Sequence, residues 1–96
     1  MSVYLIANLT IDDRERYAQY EQGFMEIFSK YPGELLAVDE GQLVLEGEYA
    51  STRTVLLRFP SRAAALAWYE SSEYQALAQH RFAASHGSVI VIDGLS

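Results

Sequence analysis

The residue whose type and setting point most directly to chemistry is Arg81. It follows Tyr74 by seven positions, on the same side of a predicted helix. Its neighbours on that side are Leu77, Ala78 and Phe82. A guanidinium on such a stripe is costly unless it is paired or faces a cleft, where it can hold a carboxylate or enolate bidentately. The alternative is an arginine whose stem packs inside while its head reaches solvent or an acidic side chain.

Four aromatic side chains are candidates for the walls of a small pocket beside this arginine. They are Tyr17 and Tyr20 in the first half of the chain, and Trp68 and Tyr74 in the second. Tyrosine hydroxyls in such a pocket can orient an oxygenated ligand or act as general acids. The alternative is that these rings are only core, with their hydroxyls at its rim, because aromatic residues dominate small cores.

The remaining polar side chains suggest structural roles. Asn8 and Arg58 lie on the other face of their predicted strands, where we expect a polar network across a dimer interface if the strands are adjacent. His80 and His86 have no second histidine or carboxylate at helical ligand spacing, and the chain has no cysteine. We therefore expect no metal site and no cofactor. His86, just before Gly87, is interpreted as a cation at a helix C-terminus.

The first elements predicted from the sequence are a strand and a helix. Residues 3–10 alternate between an apolar and a mixed face, which predicts a strand. A helix with a cap at Asp12 carries an aromatic stripe that ends at Tyr31. Residues 35–38 and 43–45 are apolar and strand-like, and they form either one bent strand or two.

The second half repeats the pattern. Residues 53–59 alternate as a strand. The helix that follows is broken at Ser71 or Ser72, either of which can cap its second part, and Gly87 is predicted to follow its C-terminus. Residues 89–92 form a last strand that is apolar on both faces.

The order of the predicted elements is strand, helix, strand, strand, helix, strand. This order predicts an α+β fold of the ferredoxin-like type. Two βαβ halves give a four-stranded antiparallel sheet with helices on one face, as a single domain over residues 1–96. The other sheet face then exposes Ile6, Leu56 and part of the last strand. Such an apolar face needs a partner, and we expect a homodimer in which two sheets pack face to face.

The charge of the chain excludes several partners. Seven Lys and Arg against 13 Asp and Glu give a net charge of −6, which repels nucleic acids and anionic membranes. No run approaches the ~18 apolar residues of a transmembrane helix. The first residues enter a strand without a basic segment, so we expect a cytoplasmic protein.

Several segments, in this order, carry a family resemblance: YLIAN at 4–8, the Tyr17/Tyr20 pair, YPG at 31–33, EG at 46–47, FPS at 59–61 and WYESSEY at 68–74. The sequence resembles domain-of-unknown-function family 1330, a group of small dimeric α/β-barrel domains. The resemblance implies a ferredoxin-like fold and a homodimer but no particular reaction. Wider relatives include cofactor-independent monooxygenases, muconolactone-type isomerases and haem-degrading enzymes.

Two positions depart from the family pattern. Pro32-Gly33-Glu34 stands where the family often has Gly-Gly-Arg, and Arg58 stands where an acidic residue often precedes Phe-Pro-Ser. The resemblance therefore does not carry over to this chain a family ligand site that uses either position.

We hypothesise from the sequence that the domain binds a small oxygenated or aromatic metabolite in a pocket between its helices and its sheet. In it Arg81 binds the anion, the hydroxyls of Tyr17, Tyr20 and Tyr74 donate hydrogen bonds, and Trp68 forms an apolar wall. If the domain is an enzyme, its class is a cofactor-independent monooxygenase or isomerase. The alternative is a non-catalytic dimeric module with a structural or ligand-binding role.

Overall fold

The computed structural model describes residues 1–95, which form four strands and three helices. They are β1 (Val3–Ile11), α1 (Arg14–Phe28), β2 (Glu34–Asp39), β3 (Arg53–Phe59), α2 (Arg62–Tyr69), α3 (Ser72–Ala84) and β4 (Ser85–Asp93). The strands form one antiparallel sheet in the order β2-β3-β1-β4. The predicted ferredoxin-like α+β sandwich is confirmed.

The alternation of β1 and β3 decides which sheet face the helices cover. Val3, Leu5, Ala7 and Leu9 are buried, and their β3 partners include Leu57 and Phe59. Onto this face the helices bring the buried aromatic rings Tyr17, Tyr20, Phe28, Trp68 and Tyr74. The opposite face of the sheet is left without a helix.

Two local predictions for the first half are wrong. The side chain that caps α1 is Asp13, whose Oδ1 accepts from the Arg16 backbone N–H, rather than Asp12. Residues 43–45 form no strand, because pairing of β2 with β3 ends at Asp39 and Thr54. The apolar residues beyond that point have no partner strand, and Leu43 and Leu45 are 84% and 85% exposed.

The predicted roles of Gly87 and His86 are also wrong. Helix α3 ends at Ala84, and Gly87 lies within β4, opposite Leu9, with φ +149°. A Cβ at Gly87 would lie 2.1 Å from the Asn8 carbonyl oxygen, so strand packing, not helix termination, requires the glycine. His86 is likewise in β4, with its Nδ1 2.8 Å from an Asp12 carboxylate oxygen.

The helix break lies at Ser71, which gives a first prediction. The Ser71 hydroxyl oxygen accepts from the Tyr74 backbone N–H at 3.2 Å and donates to the Trp68 carbonyl at 2.8 Å. We expect Ser71→Ala to lower the free energy of unfolding by about 0.5–2 kcal/mol. The neighbouring Ser72→Ala is the control and should change it by less than about 0.5 kcal/mol. Equal urea midpoints for the two variants would show that the cap does not stabilise the break.

Candidate functional site

A cavity of about 130 Å³ lies between the helices and the covered face of the sheet. Its floor includes Leu5, Ala7 and Leu57 of the two central strands. Every residue that the sequence pattern proposed for a site lies on its wall: Tyr17, Tyr20, Trp68, Tyr74 and Arg81. The fold thus brings residues as far apart in sequence as Tyr17 and Arg81, 64 positions, to the wall of the same cavity.

Arg81 is the buried cation of this cavity. It is 7% exposed, and none of the ion pairs formed within residues 1–95 involves it. Its guanidinium carbon lies 4.8 Å from the centre of the Phe82 ring and 5.9 Å from that of Tyr20. Burial disfavours the charge, but the hydroxyl oxygens of Tyr74 and Tyr20 attract it, and the pKa of Arg81 stands above its ordinary value. The guanidinium therefore remains charged at every physiological pH.

The hydroxyls of Tyr20 and Tyr74 form a buried pair 2.7 Å apart. Burial, together with the neighbouring Tyr74 oxygen, raises the pKa of Tyr20 well above its ordinary value. Burial likewise raises the pKa of Tyr17. In a pair of hydroxyls one donates and the other accepts, so the accepting hydroxyl keeps its own proton for a third group. The pair is therefore suited to donate to a ligand oxygen and not to act as a base.

Trp68 supplies an apolar wall. It is 2% exposed, and its ring centre lies 4.2 Å from that of Tyr74 and 5.6 Å from that of Phe59. Its indole N–H is buried and has no acceptor within the described part of the chain. Contacts with Tyr74 of α3 and Phe59 of β3 therefore hold the Trp68 ring in its place on the cavity wall.

The cavity wall includes a second arginine, Arg53, that the sequence analysis missed. Arg53 Nη2 lies 3.0 Å from a Glu21 carboxylate oxygen, and Nη1 lies 2.8 Å from Glu40. The guanidinium carbon is 5.3 Å from the centre of the Tyr17 ring. A hydrogen bond from Arg14, with support from Arg53, holds the pKa of Glu40 below its ordinary value. Strand alternation could have found Arg53, since it has the same parity as the buried Leu57.

Asn8 and Arg58 are not neighbours within one copy of the chain, although β1 and β3 are adjacent. The register places Asn8 opposite Thr54, and Arg58 opposite Tyr4, which precedes Asn8 by four residues in β1. Asn8 Oδ1 accepts from the Thr54 hydroxyl at 2.9 Å, whereas Arg58 pairs with Glu34 at 2.7 Å. The two polar groups have separate partners because adjacent strands fix which residues face each other.

Neither histidine lines the cavity. His80 Nδ1 accepts a hydrogen bond from Arg16 Nε at 2.8 Å. Residues 1–95 contain no group of three or more His, Asp or Glu side chains arranged to hold a metal ion. None of the helices in these residues is long and apolar enough to cross a membrane.

The chain is similar to a known protein family. The family model described as Domain of unknown function (DUF1330) matches residues 2–95. No protein with a curated description matches the chain.

Solved structures similar to the chain share its fold. RPA0582, a protein of unknown function from Rhodopseudomonas palustris, is 18% identical with a TM-score of 0.83, over 99% of this chain and 83% of that one. SnoaB, a cofactor-independent oxygenase from Streptomyces nogalater, is 11% identical with a TM-score of 0.70, over 99% and 94%. A dimeric ferredoxin-like protein of unknown function from Jannaschia sp. CCS1 is 17% identical with a TM-score of 0.70, over 98% and 100%.

Proposed function

The chain belongs to the family of domains of unknown function DUF1330, and from that premise we propose that its cavity binds a small aromatic or oxygenated molecule as an anion. The observation that carries the proposal is Arg81. It is a buried cation on the cavity wall, and no carboxylate of residues 1–95 pairs with it. Because a buried charge without a counter-ion is costly, an anionic ligand is the natural partner.

The size and lining of the cavity support a ligand with one ring. An engineered apolar cavity of ~150 Å³ in another protein takes up benzene, and this cavity is of about 130 Å³. The rings of Tyr20, Trp68 and Tyr74 face its interior, together with aliphatic side chains of the sheet. The donors sit on one part of the wall, where Arg81 and the Tyr20–Tyr74 pair would receive the oxygen of a carboxylate or a phenolate.

A second candidate function is oxygenation of such a ligand without a cofactor. The likeness to SnoaB favours it at the level of fold. A cation and hydroxyl donors would also stabilise an ionised phenol or enol, the electron-rich form that would react with molecular oxygen. An isomerase would use the same enolate, whereas a non-catalytic module would bind the ligand unchanged. Oxygen uptake in an electrode chamber, with the bound phenol as sole substrate, separates the oxygenase from the other two.

We also propose that the protein is a homodimer joined through the sheet face that the helices leave open. The likeness to the dimeric Jannaschia protein supports this assembly. Across that face Leu56 pairs with Ile6, and Ile6 with Ile90, so one apolar row crosses three strands. Burial of this row against a second copy would remove apolar surface from water.

Benzoate is the first ligand to test. A ligand at 100 times its Kd stabilises the native state by about 2.7 kcal/mol, which raises the Tm of a chain of this length by about 10 °C or more. We expect benzoate to raise the Tm in a thermal-shift assay. Benzamide, a neutral molecule of nearly the same shape, is the control and should raise it much less. Equal shifts with both, or none from benzoate, phenols or quinones, would contradict binding of an anion.

A further inference from the structure

The cavity wall includes both buried and exposed side chains. Arg81 and the Tyr20–Tyr74 pair are buried. Two apolar lining residues are exposed: Met25 of α1 at 51% and Leu35 of β2 at 42%. We call these two side chains the apolar rim. Exposed apolar surface that continues the wall of a cavity marks a place where further apolar ligand surface could be buried.

One accessible part of the cavity wall is polar, and its charged groups are already paired. Arg53 and Glu21, which also line the cavity, are joined by an ion pair at 3.0 Å. A second carboxylate, from Glu40, holds the other end of the same guanidinium. An apolar group that left the cavity on this side would have to desolvate charged side chains. The apolar rim is therefore a more favourable exit than the Arg53–Glu21 side.

We infer that the ligand carries an apolar substituent, opposite its anionic group, that leaves the cavity over Met25 and Leu35. The inference rests on the proposed function and names the class of ligand more closely. The ring fills a cavity of about 130 Å³ with its anionic oxygen at Arg81, and the substituent covers the rim. The class is thus an amphipathic aromatic acid or phenol with an alkyl or second-ring substituent.

A series of 4-alkylbenzoates tests this inference. Complete burial of one CH₂ tightens binding about fourfold, so a substituent that is half buried on the rim gains about twofold per CH₂. We expect the Kd to fall by about that factor with each added carbon from 4-methyl to 4-propyl to 4-hexylbenzoate. Trp68, the one tryptophan of the sequence, lines the cavity and reports binding through its fluorescence.

Adjacent leucines of β2 provide a matched pair of variants. Leu35 and Leu36 are 42% and 40% exposed, but only Leu35 lines the cavity. Threonine is a good strand former at either position. We expect Leu35→Thr to weaken binding of 4-hexylbenzoate about fivefold or more while it changes benzoate binding less than about twofold. Leu36→Thr should change neither. Met25→Gln, which changes the α1 part of the rim, should weaken binding of 4-hexylbenzoate in the same way as Leu35→Thr.

The outcomes distinguish this inference from the function on which it rests. Two results would show that the substituent does not lie on the rim. In the first, benzoate binds but the Kd does not depend on the length of the alkyl substituent. In the second, Leu35→Thr and Leu36→Thr change the Kd of 4-hexylbenzoate equally. If Leu35→Thr instead changes the mass measured by light scattering, a second copy covers the rim and the inference is wrong. If none of the benzoates binds, the proposed function itself fails.

Discussion

Replacing Arg81 with methionine is expected to weaken benzoate binding by about 100-fold. Hydrogen bonds to charged groups contribute about 1.5–3 kcal/mol, and the upper value corresponds to roughly two powers of ten in Kd. Methionine keeps the length and the apolar packing of the arginine stem but donates no hydrogen bond. Titration calorimetry of both proteins with benzoate measures the difference.

The same substitution is expected to leave the empty protein as stable or more stable. Arg81 is 7% exposed and has no carboxylate partner within residues 1–95, so its removal strands no acid. Replacement of buried charge by an apolar side chain of similar volume is often neutral or stabilising. Urea denaturation gives the free energy of unfolding for this comparison.

An arginine elsewhere in the chain serves as the control. Arg62 is exposed, pairs with Asp93 at 2.8 Å and is absent from the cavity wall. Arg62→Met should change neither benzoate binding nor stability by more than about 1 kcal/mol. A loss of about 3–5 kcal/mol in Arg81→Met, with benzoate binding retained, would show instead that Arg81 is part of a structural ion pair.

The sequence predicted the fold because its strongest patterns are local. The alternation of β1 and β3 assigns Leu5 and Leu57 to the covered face, and the structure places them directly opposite each other. The same periodicity put Arg81 on the apolar side of its helix, beside Tyr74. Gathering of these residues at one cavity follows from the topology, since all helices must pack on one face of the sheet.

What the sequence left open depends on contacts between distant segments. Residues 43–45 are apolar, as in a strand, but a strand also needs a neighbouring strand with which to pair. Pairing of β2 with β3 ends before these residues, so they have no such neighbour. Gly87 resembles a helix terminator until β4 is seen to approach the Asn8 carbonyl. Arg53 resembles a surface charge because its partners, Glu21 and Glu40, lie 32 and 13 residues away.

Replacing Leu56 with glutamate is expected to convert the proposed dimer to a monomer. Leu56 lies at the centre of the open sheet face, opposite Ile6, and the row continues to Ile90, which is 48% exposed. A twofold interface contains every residue twice, so one substitution brings two carboxylates into it. Uncompensated buried charge costs about 3–5 kcal/mol, which weakens association by at least about 100-fold.

Light scattering at micromolar concentration gives the mass that decides this prediction. Leu66 is the matched control because it is 48% exposed but lies in α2, on the helix side of the sheet. Leu66→Glu adds the same charge and should leave the dimer mass unchanged, so an effect of Leu56→Glu alone assigns the interface to the sheet. A monomer mass for the unaltered protein would refute the dimer, and the apolar row from Leu56 to Ile90 would then remain exposed to solvent. Equal dissociation of both variants would show that added negative charge on a chain of net charge −6, and not the sheet face, controls association.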